Sequence, residues 1–157
     1  DRSAAYPLEI PYRLINMYSV YNDTVLDPFW GTGTTSLASM IAGRNSVGYE
    51  IQEKFIDVFD EKVSKIPELA HDTVSKRIQR HKEFVEQRLE AGKSFKYAAE
   101  NYDFPVTTKQ EKPLQFYTAD EVEQIETGYS VTYSSYDKSI KSNLGGQEQA
   151  TLETQFQ

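Results

Sequence analysis

Two features of this chain, taken together, have the residue types and spacing for ligand chemistry. The first is the stretch Asp27-Pro28-Phe29-Trp30-Gly31-Thr32-Gly33-Thr34-Thr35. Thr24-Val25-Leu26 before it reads as a short buried strand, and Ser36 to Ala42 after it is a helix-forming run broken by Gly43. The order strand, glycine loop, helix sets free backbone N–H groups and a helix N-terminus at the carboxyl end of a strand, where a charged or polar ligand can sit. Gly31 and Gly33 let the backbone turn and approach that ligand closely. Asp27, at the strand's end, can accept hydrogen bonds from an amine or a hydroxyl. The second feature is Ser46-Val47-Gly48-Tyr49-Glu50, a strand-like run ending in an acid. Glu50 lies 17 residues beyond Gly33, close to the spacing at which a carboxylate in a βαβ unit binds ribose hydroxyls. Ser36 stands where a dinucleotide fingerprint has Gly or Ala.

The surrounding elements have to hold this loop and acid in place. Residues 7–19 read as a helix, with Leu8, Leu14, Ile15 and Tyr18 at helical spacing and Pro11 near its start. Tyr21-Asn22-Asp23 is a turn into the first strand. Residues 34–42 form the helix after the loop, with Ala38 and Ala42 small enough for close packing on a sheet. Gln52 to Lys65 is a second helix carrying Phe55, Ile56, Phe59 and Val63 on one face, and Pro67 marks its exit.

Asp72 is placed to cap a long third helix over residues 73–91, ended by Gly92. Val74, Ile78, Val85 and Leu89 make its apolar stripe, and Lys76, Arg77, Arg80 and Arg88 fall largely off it. Those four are either a solvated face or a set of phosphate contacts. Further on, residues 104–108 and 113–117 look like short strands. Residues 118–125 look like a helix with Thr118 and Glu121 as a capping box, and residues 130–133 look like a strand entered through Gly128. The tail from Lys141 is rich in Gln, Ser and Gly and is expected to be disordered. The expected division is a ligand-binding portion over 1–70, a basic helical segment over 71–100, a small α/β extension over 101–140 and a disordered tail over 141–157.

Composition bounds the rest. A chain of 157 residues can build one domain with a real core. It has no Cys, which excludes disulfides and thiolate metal sites, and His71 and His81 stand ten apart without a ligand pattern, so no metal is expected. No apolar run approaches the roughly 18 residues of a membrane span. No signal peptide is visible, and a cytoplasmic setting is expected. An opening Asp in place of Met reads as a processed or incomplete chain. The net charge of −7 argues against the whole chain being a simple nucleic-acid binder. The charge is uneven, however: residues 76–96 hold seven basic and three acidic groups, net +4, between flanks of −5 and −6.

The loop from Asp27 to Thr35, with Gly43-Arg44 and Gly48-Tyr49-Glu50-Ile51, closely resembles the S-adenosylmethionine-binding segment of the DNA amino-methyltransferases. Upstream, Ala4-Ala5-Tyr6-Pro7 with Leu14-Ile15 is similar to the motif preceding this loop in the permuted members, although Arg2 or Ser3 stands where a His is usual. The resemblance covers about residues 3–60. It implies an α/β, Rossmann-like methyltransferase fold with a partial sheet, S-adenosylmethionine as cofactor, and methylation of the exocyclic amine of adenine or cytosine in DNA. It implies contacts from the Gly31-Thr32-Gly33-Thr34 loop, with Asp27 near the methionine portion, Glu50 on the ribose hydroxyls, Ile51 beside the adenine and Phe29 packed on the ligand.

The family's catalytic loop is Asp, Asn or Ser followed by Pro-Pro and an aromatic. Proline occurs here at 7, 11, 28, 67, 105 and 113, never in adjacent positions. The chain therefore reads as the C-terminal cofactor-binding portion of a permuted enzyme, inactive alone and completed by a catalytic half elsewhere, with DNA as partner. Two rival readings remain: a non-catalytic Rossmann-type module that binds a nucleotide or a partner, and a small-molecule methyltransferase or dehydrogenase. The Asp-Pro-Phe start of the loop argues against the dehydrogenase.

Overall fold

The structure, a computed structural model, describes residues 6–137 in full and residues 150–156 through their backbone. The described chain forms two compact units, one of residues 1–71 with 117–157, the other of residues 72–116.

The first unit is α/β. Helix α1 (Glu9–Tyr18) leads to strand β1 (Thr24–Asp27), helix α2 (Thr34–Ala42), strand β2 (Asn45–Gly48) and helix α3 (Lys54–Val63). β1 and β2 run parallel, with Thr24 opposite Asn45 and Asp27 opposite Gly48, so α2 is the crossover of a βαβ unit. Every residue of α2 from Ser36 to Ala42 is buried. Its Leu37, Met40 and Ile41 enter the main core with Phe59, Val63, Ile66, Val131 and Tyr133, while Ala38 and Ala42 meet Ile15 of α1. The small residues at those two positions let α1 come close.

Helix α4 (Ile66–Glu90) begins seven residues earlier than Asp72 would set it. Pro67 does not end a helix here. It sits in the first turn, where its missing N–H would have had no partner, and Asp72 accepts from Lys76 Nζ one turn on at 2.5 Å instead of capping. Residues 118–125 are strand β5 (Tyr117–Ile125), not a helix, and pair antiparallel with β6 (Gly128–Ser135), Val122 facing Val131. A bulge between Ala119 and Glu121 breaks the two-residue alternation of β5, which hides the strand from a periodicity reading. Thr118 Oγ1 is buried with no hydrogen-bond partner, so it caps nothing. The hairpin covers α2: Tyr133 donates to the Met40 carbonyl oxygen at 2.5 Å, and burial pushes its hydroxyl pKa well up. Tyr129 donates to Asp60 at 2.7 Å.

Residues 150–156, expected within a disordered tail, form β7, parallel to β2 and antiparallel to β6. The sheet order is β1-β2-β7-β6-β5. Residues 138–149 and 157 of that tail lie outside the described residues.

The second unit contains α4 from Asp72 onward, a short antiparallel pair, β3 (Tyr97–Ala98) with β4 (Pro105–Val106), and a 3-10 turn at Lys109–Glu111. Val74, Ile78 and Val85 are buried as their spacing predicts, but Leu89 is exposed. Tyr102 stacks on Phe104 at 5.2 Å and its hydroxyl accepts from the Phe116 N–H. The expected strand at 113–117 enters β5 only at Tyr117, and that at 104–108 shortens to β4. A capping box does occur, at Thr108 and Glu111 rather than at Thr118 and Glu121.

The Thr108 backbone N–H, bonded to Glu111, holds that carboxyl below its ordinary pKa. A depressed folded-state pKa contributes stability above the unfolded value of about 4.3, lost as pH falls through the folded one. Glu111→Ala should speed amide exchange at Thr108 and Glu111 several-fold at neutral pH, since a lost cap costs about 1 kcal/mol. The difference from the parent should shrink below pH 4, and a constant difference would show that the carboxylate charge plays no part.

Candidate functional site

The loops after β1 and β2 leave the same end of two adjacent parallel strands, and backbone bonds stitch them together. Tyr49 N–H donates to the Asp27 carbonyl at 3.1 Å, and Trp30 N–H donates to the Tyr49 carbonyl at 3.0 Å. Glu50 adds the third stitch. Its Oε2 accepts from Gly31 N–H, and its Oε1 accepts from the N–H groups of Ile51 and Gln52, each at 2.9 Å. An ionised carboxylate offers about four acceptor positions. Three are taken by backbone, so a ribose diol would share the last or displace the Ile51 and Gln52 amides.

Asp27 is half-buried at the end of β1, and its Oδ1 accepts from Phe29 N–H at 3.1 Å. That turn throws the Phe29 ring outward, 90% exposed, and Ile51 stands out beyond Glu50 at 95%. The N–H groups of Phe29, Trp30, Gly31 and Gly33, expected to be free, are instead bonded to Asp27, Tyr49, Glu50 and Trp30, because the turn closes on itself. Two large apolar side chains left in water beside such a loop are unusual in a surface at rest. Gly31 and Gly33 both have positive φ, +56° and +71°, and Gly33 is the N-cap of α2. Thr32 and Thr34 are half-buried beside them. The structure therefore brings Asp27, Phe29, Gly31, Thr32, Gly33, Thr34, Glu50 and Ile51 to one edge of one unit. Lys76, Arg77, Arg80 and Arg88 lie on α4 in the other unit. Lys76 pairs with Asp72, Arg77 lies over the Phe116 ring at 4.9 Å and Arg88 over Phe95 at 5.4 Å.

Three residues with no assigned role in the sequence reading hold the site together. Trp30 points inward, 4% exposed, with its indole N–H donating to Ser36 Oγ at 2.8 Å and its ring 4.6 Å from Phe59. Gly48 leaves room for it: a Cβ there would lie 2.0 Å from the Trp30 ring. Arg44, buried, donates to the Ser19 carbonyl at 2.7 Å and to the Ala42 carbonyl, joining the ends of α1 and α2. The signal for Trp30 and Gly48 was present as the chain's one Trp beside two glycines and a third glycine two residues before the acid. Tyr6 of the upstream motif shares a hydrogen bond of 2.6 Å with Thr35 Oγ1 in the first turn of α2.

Among the described residues no group of His, Asp and Glu is arranged to hold a metal ion, and no helix is long and apolar enough to cross a membrane.

Residues 2–61 match the family described as DNA methylase. The chain is 48% identical over 116 residues to the type II methyltransferase M.MthZI of Methanothermobacter thermautotrophicus, covering 74% of this chain and 31% of that one. It is 53% identical over 62 residues to the type II methyltransferase M.MjaI of Methanocaldococcus jannaschii, covering 40% and 20%. A solved structure from Thermus thermophilus, assigned as a DNA modification methylase and complexed with S-adenosyl-L-methionine, is 40% identical, covers 38% of this chain and 25% of its own, and gives a TM-score of 0.37. Through the segment that carries the glycine loop, the chain is similar to the DNA amino-methyltransferases. It spans less than a third of the length of each of these relatives. A match of 116 residues in a chain of 157 includes all of Asp72–Phe116 wherever it starts, so the likeness to M.MthZI extends through the second unit.

Gly48→Ala should force the Trp30 ring out of its place and destabilise the protein by about 1–3 kcal/mol, the usual cost of overpacking. Urea denaturation measures it, and an unchanged midpoint would show that the ring has room to move.

Proposed function

We propose that this chain is the cofactor-binding portion of a DNA methyltransferase that moves the methyl group of S-adenosylmethionine to the exocyclic amine of adenine or cytosine. One observation carries the reading. A carboxylate in the loop after the second of two parallel strands is locked to the glycine loop after the first, with exposed Phe29 and Ile51 beside it. That arrangement suits a ligand with a ribose, a flat base and a charged end. In it Glu50 receives the ribose hydroxyls, Ile51 and Phe29 bear on the adenine and the ligand body, and the Gly31–Gly33 loop contacts the ligand with Asp27 near its methionine portion.

When bound, the cofactor supplies an electrophilic sulfonium methyl. That methyl would pass to the target amine's nitrogen, and Asp27, Glu50 and the Gly31–Gly33 loop would hold the cofactor in place for the transfer. The groups that hold the amine in line belong to the Asp, Asn or Ser-Pro-Pro-aromatic loop. That loop is supplied by a catalytic half outside this sequence, and the complete enzyme works on DNA in the cytoplasm. What this chain's residues do is bind and orient the cofactor.

The second unit is read as a DNA-facing module. It holds nine Lys and Arg against seven Asp and Glu, while the rest of the chain holds eight against seventeen. Its basic side chains on α4 are proposed to meet phosphates.

Calorimetry tests the cofactor site. Glu50→Ala should weaken S-adenosylmethionine binding by about 2–3 kcal/mol, the range for hydrogen bonds to a charged group. Unchanged affinity with unchanged circular dichroism would remove Glu50 from the site.

The DNA reading has its own measurement. Replacing Lys76 and Arg80 by Ala should lower the salt slope of duplex binding by about 0.9 for each lost phosphate contact. A slope that stays put would make this helix face a solvated surface only.

A further inference from the structure

Helix α4 carries its charge unevenly around its axis. At 3.6 residues per turn, Thr73, Arg77, Arg80, Arg88 and Ala91 all fall within about 40° of Phe84. The acids of the same stretch, Asp72, Glu83, Glu86 and Glu90, lie about 100° or more away. One face of the helix therefore bears three arginines and none of its acids, in a chain of net charge −7.

An aromatic ring sits at the centre of that face. Phe84 is 44% exposed, while Val74, Ile78 and Val85 of the same helix are buried. Phe95, from the turn after the helix, meets the Phe84 ring edge-on at 6.3 Å, and the His81 ring lies 6.1 Å from it. These contacts fix the attitude of the ring and leave part of it in water. The cations beside it lie along rings as well. The Arg88 guanidinium is 5.4 Å over Phe95, and its Nε is covered and makes no hydrogen bond. Past Gly92, Lys93 and Lys96 stand exposed on either side of Phe95, with Lys96 Nζ 5.5 Å from the centre of the Tyr97 ring. Arg80, Phe84 and Arg88 follow one another at about 6 Å along the axis, so cation, ring and cation form a single row.

We propose that this row, continued by Lys93 and Lys96, is a stacking platform for unpaired DNA, with a base laid on Phe84 and the neighbouring phosphates on the cations. This rests on reading the second unit as DNA-facing, and it names the form of DNA that the unit takes. A duplex offers phosphates to such a face but keeps the faces of its bases inside the stack, so the Phe84 ring would meet nothing. An unpaired strand offers both, phosphates for the cations and a π-face for the ring, whatever the base. Unpaired nucleotides arise in the reaction proposed above, because an enzyme that alters a base within a duplex must first take it out of the stack.

The test is fluorescence anisotropy with the whole chain at one salt concentration and three labelled probes: a mixed-sequence single strand, the same strand as a duplex, and an abasic strand with the same number of phosphates. One stacked base is worth about tenfold or more in affinity, so the single strand should bind at least about tenfold more tightly than either of the others. Phe84→Leu, which keeps apolar volume but no π-face, should remove that advantage and leave the abasic strand unaffected. Phe84→Trp should retain it, with circular dichroism unchanged in both variants. Equal affinity for the three probes, or a Phe84→Leu protein that loses the abasic strand as much as the single strand, would overturn the platform and leave the phosphate contacts of α4 standing. Binding to none of the three would overturn the DNA reading of the second unit along with it. Tighter binding of poly-glutamate than of the single strand would also overturn the proposal, and would make this face a site for an acidic polypeptide.

Discussion

The site depends on the packing of one indole. Trp30 lies in the middle of the glycine loop yet points into the core, where its ring fills the space that glycine leaves at positions 33 and 48. Its N–H is satisfied by Ser36, so no polar group is stranded by the burial. A loop of glycines and threonines would otherwise have many conformations to lose on folding. Anchored from beneath, it is held in one arrangement, with the N–H groups of Trp30, Gly31 and Gly33 bonded to Tyr49, Glu50 and Trp30. The acid just past the next strand then reaches Gly31 because Gly48 lets the ring pass under the second loop. Burying one aromatic thus sets both the shape of the loop and the position of Glu50.

Position 44 does comparable work at the far end of the βαβ unit. A buried guanidinium is costly unless its donors are used. Here they go to the last carbonyls of two helices and to Ser19 Oγ, with the Tyr21 ring 4.9 Å away. Cations are favoured at helix C-termini, and two such ends meet at Arg44. The unit is closed at both ends by a single large side chain, one apolar and one charged.

The βαβ unit was legible because its signals are local. β1, α2 and β2 fall within two residues of their expected limits, since Gly43 and the strand-ending acids mark them directly. The hairpin was not legible. Thr118-Ala-Asp-Glu121 has the composition of a helix start, and only its long-range pairing with the Tyr129–Tyr133 strand, invisible to a local reading, makes it a strand. Pro67 misled for a related reason: the same residue that stops a helix also begins one, and the choice is made by Ile66 and Ala70 entering the core. At the site, residue types and spacing named the groups that gather there but not the inward turn of Trp30, because facing inward is a property of packing. On α4 the charges were countable, whereas their partners, Asp72, Phe116 and Phe95, were not.

The hairpin also bears on how the chain reaches its native state. Tyr129, Val131 and Tyr133 share one core with Met40 and Ile41, yet a segment of separate structure intervenes between them in sequence. As the chain leaves the ribosome, α2 is made long before the strands that will cover it. Until residues 128–135 arrive, its apolar face has only local partners. Such distant contacts slow the search for the native arrangement, because a large loop must close before any of them forms. The glycine loop is therefore made well before the strands that cover the helix behind it, and is among the last parts of this unit to become rigid.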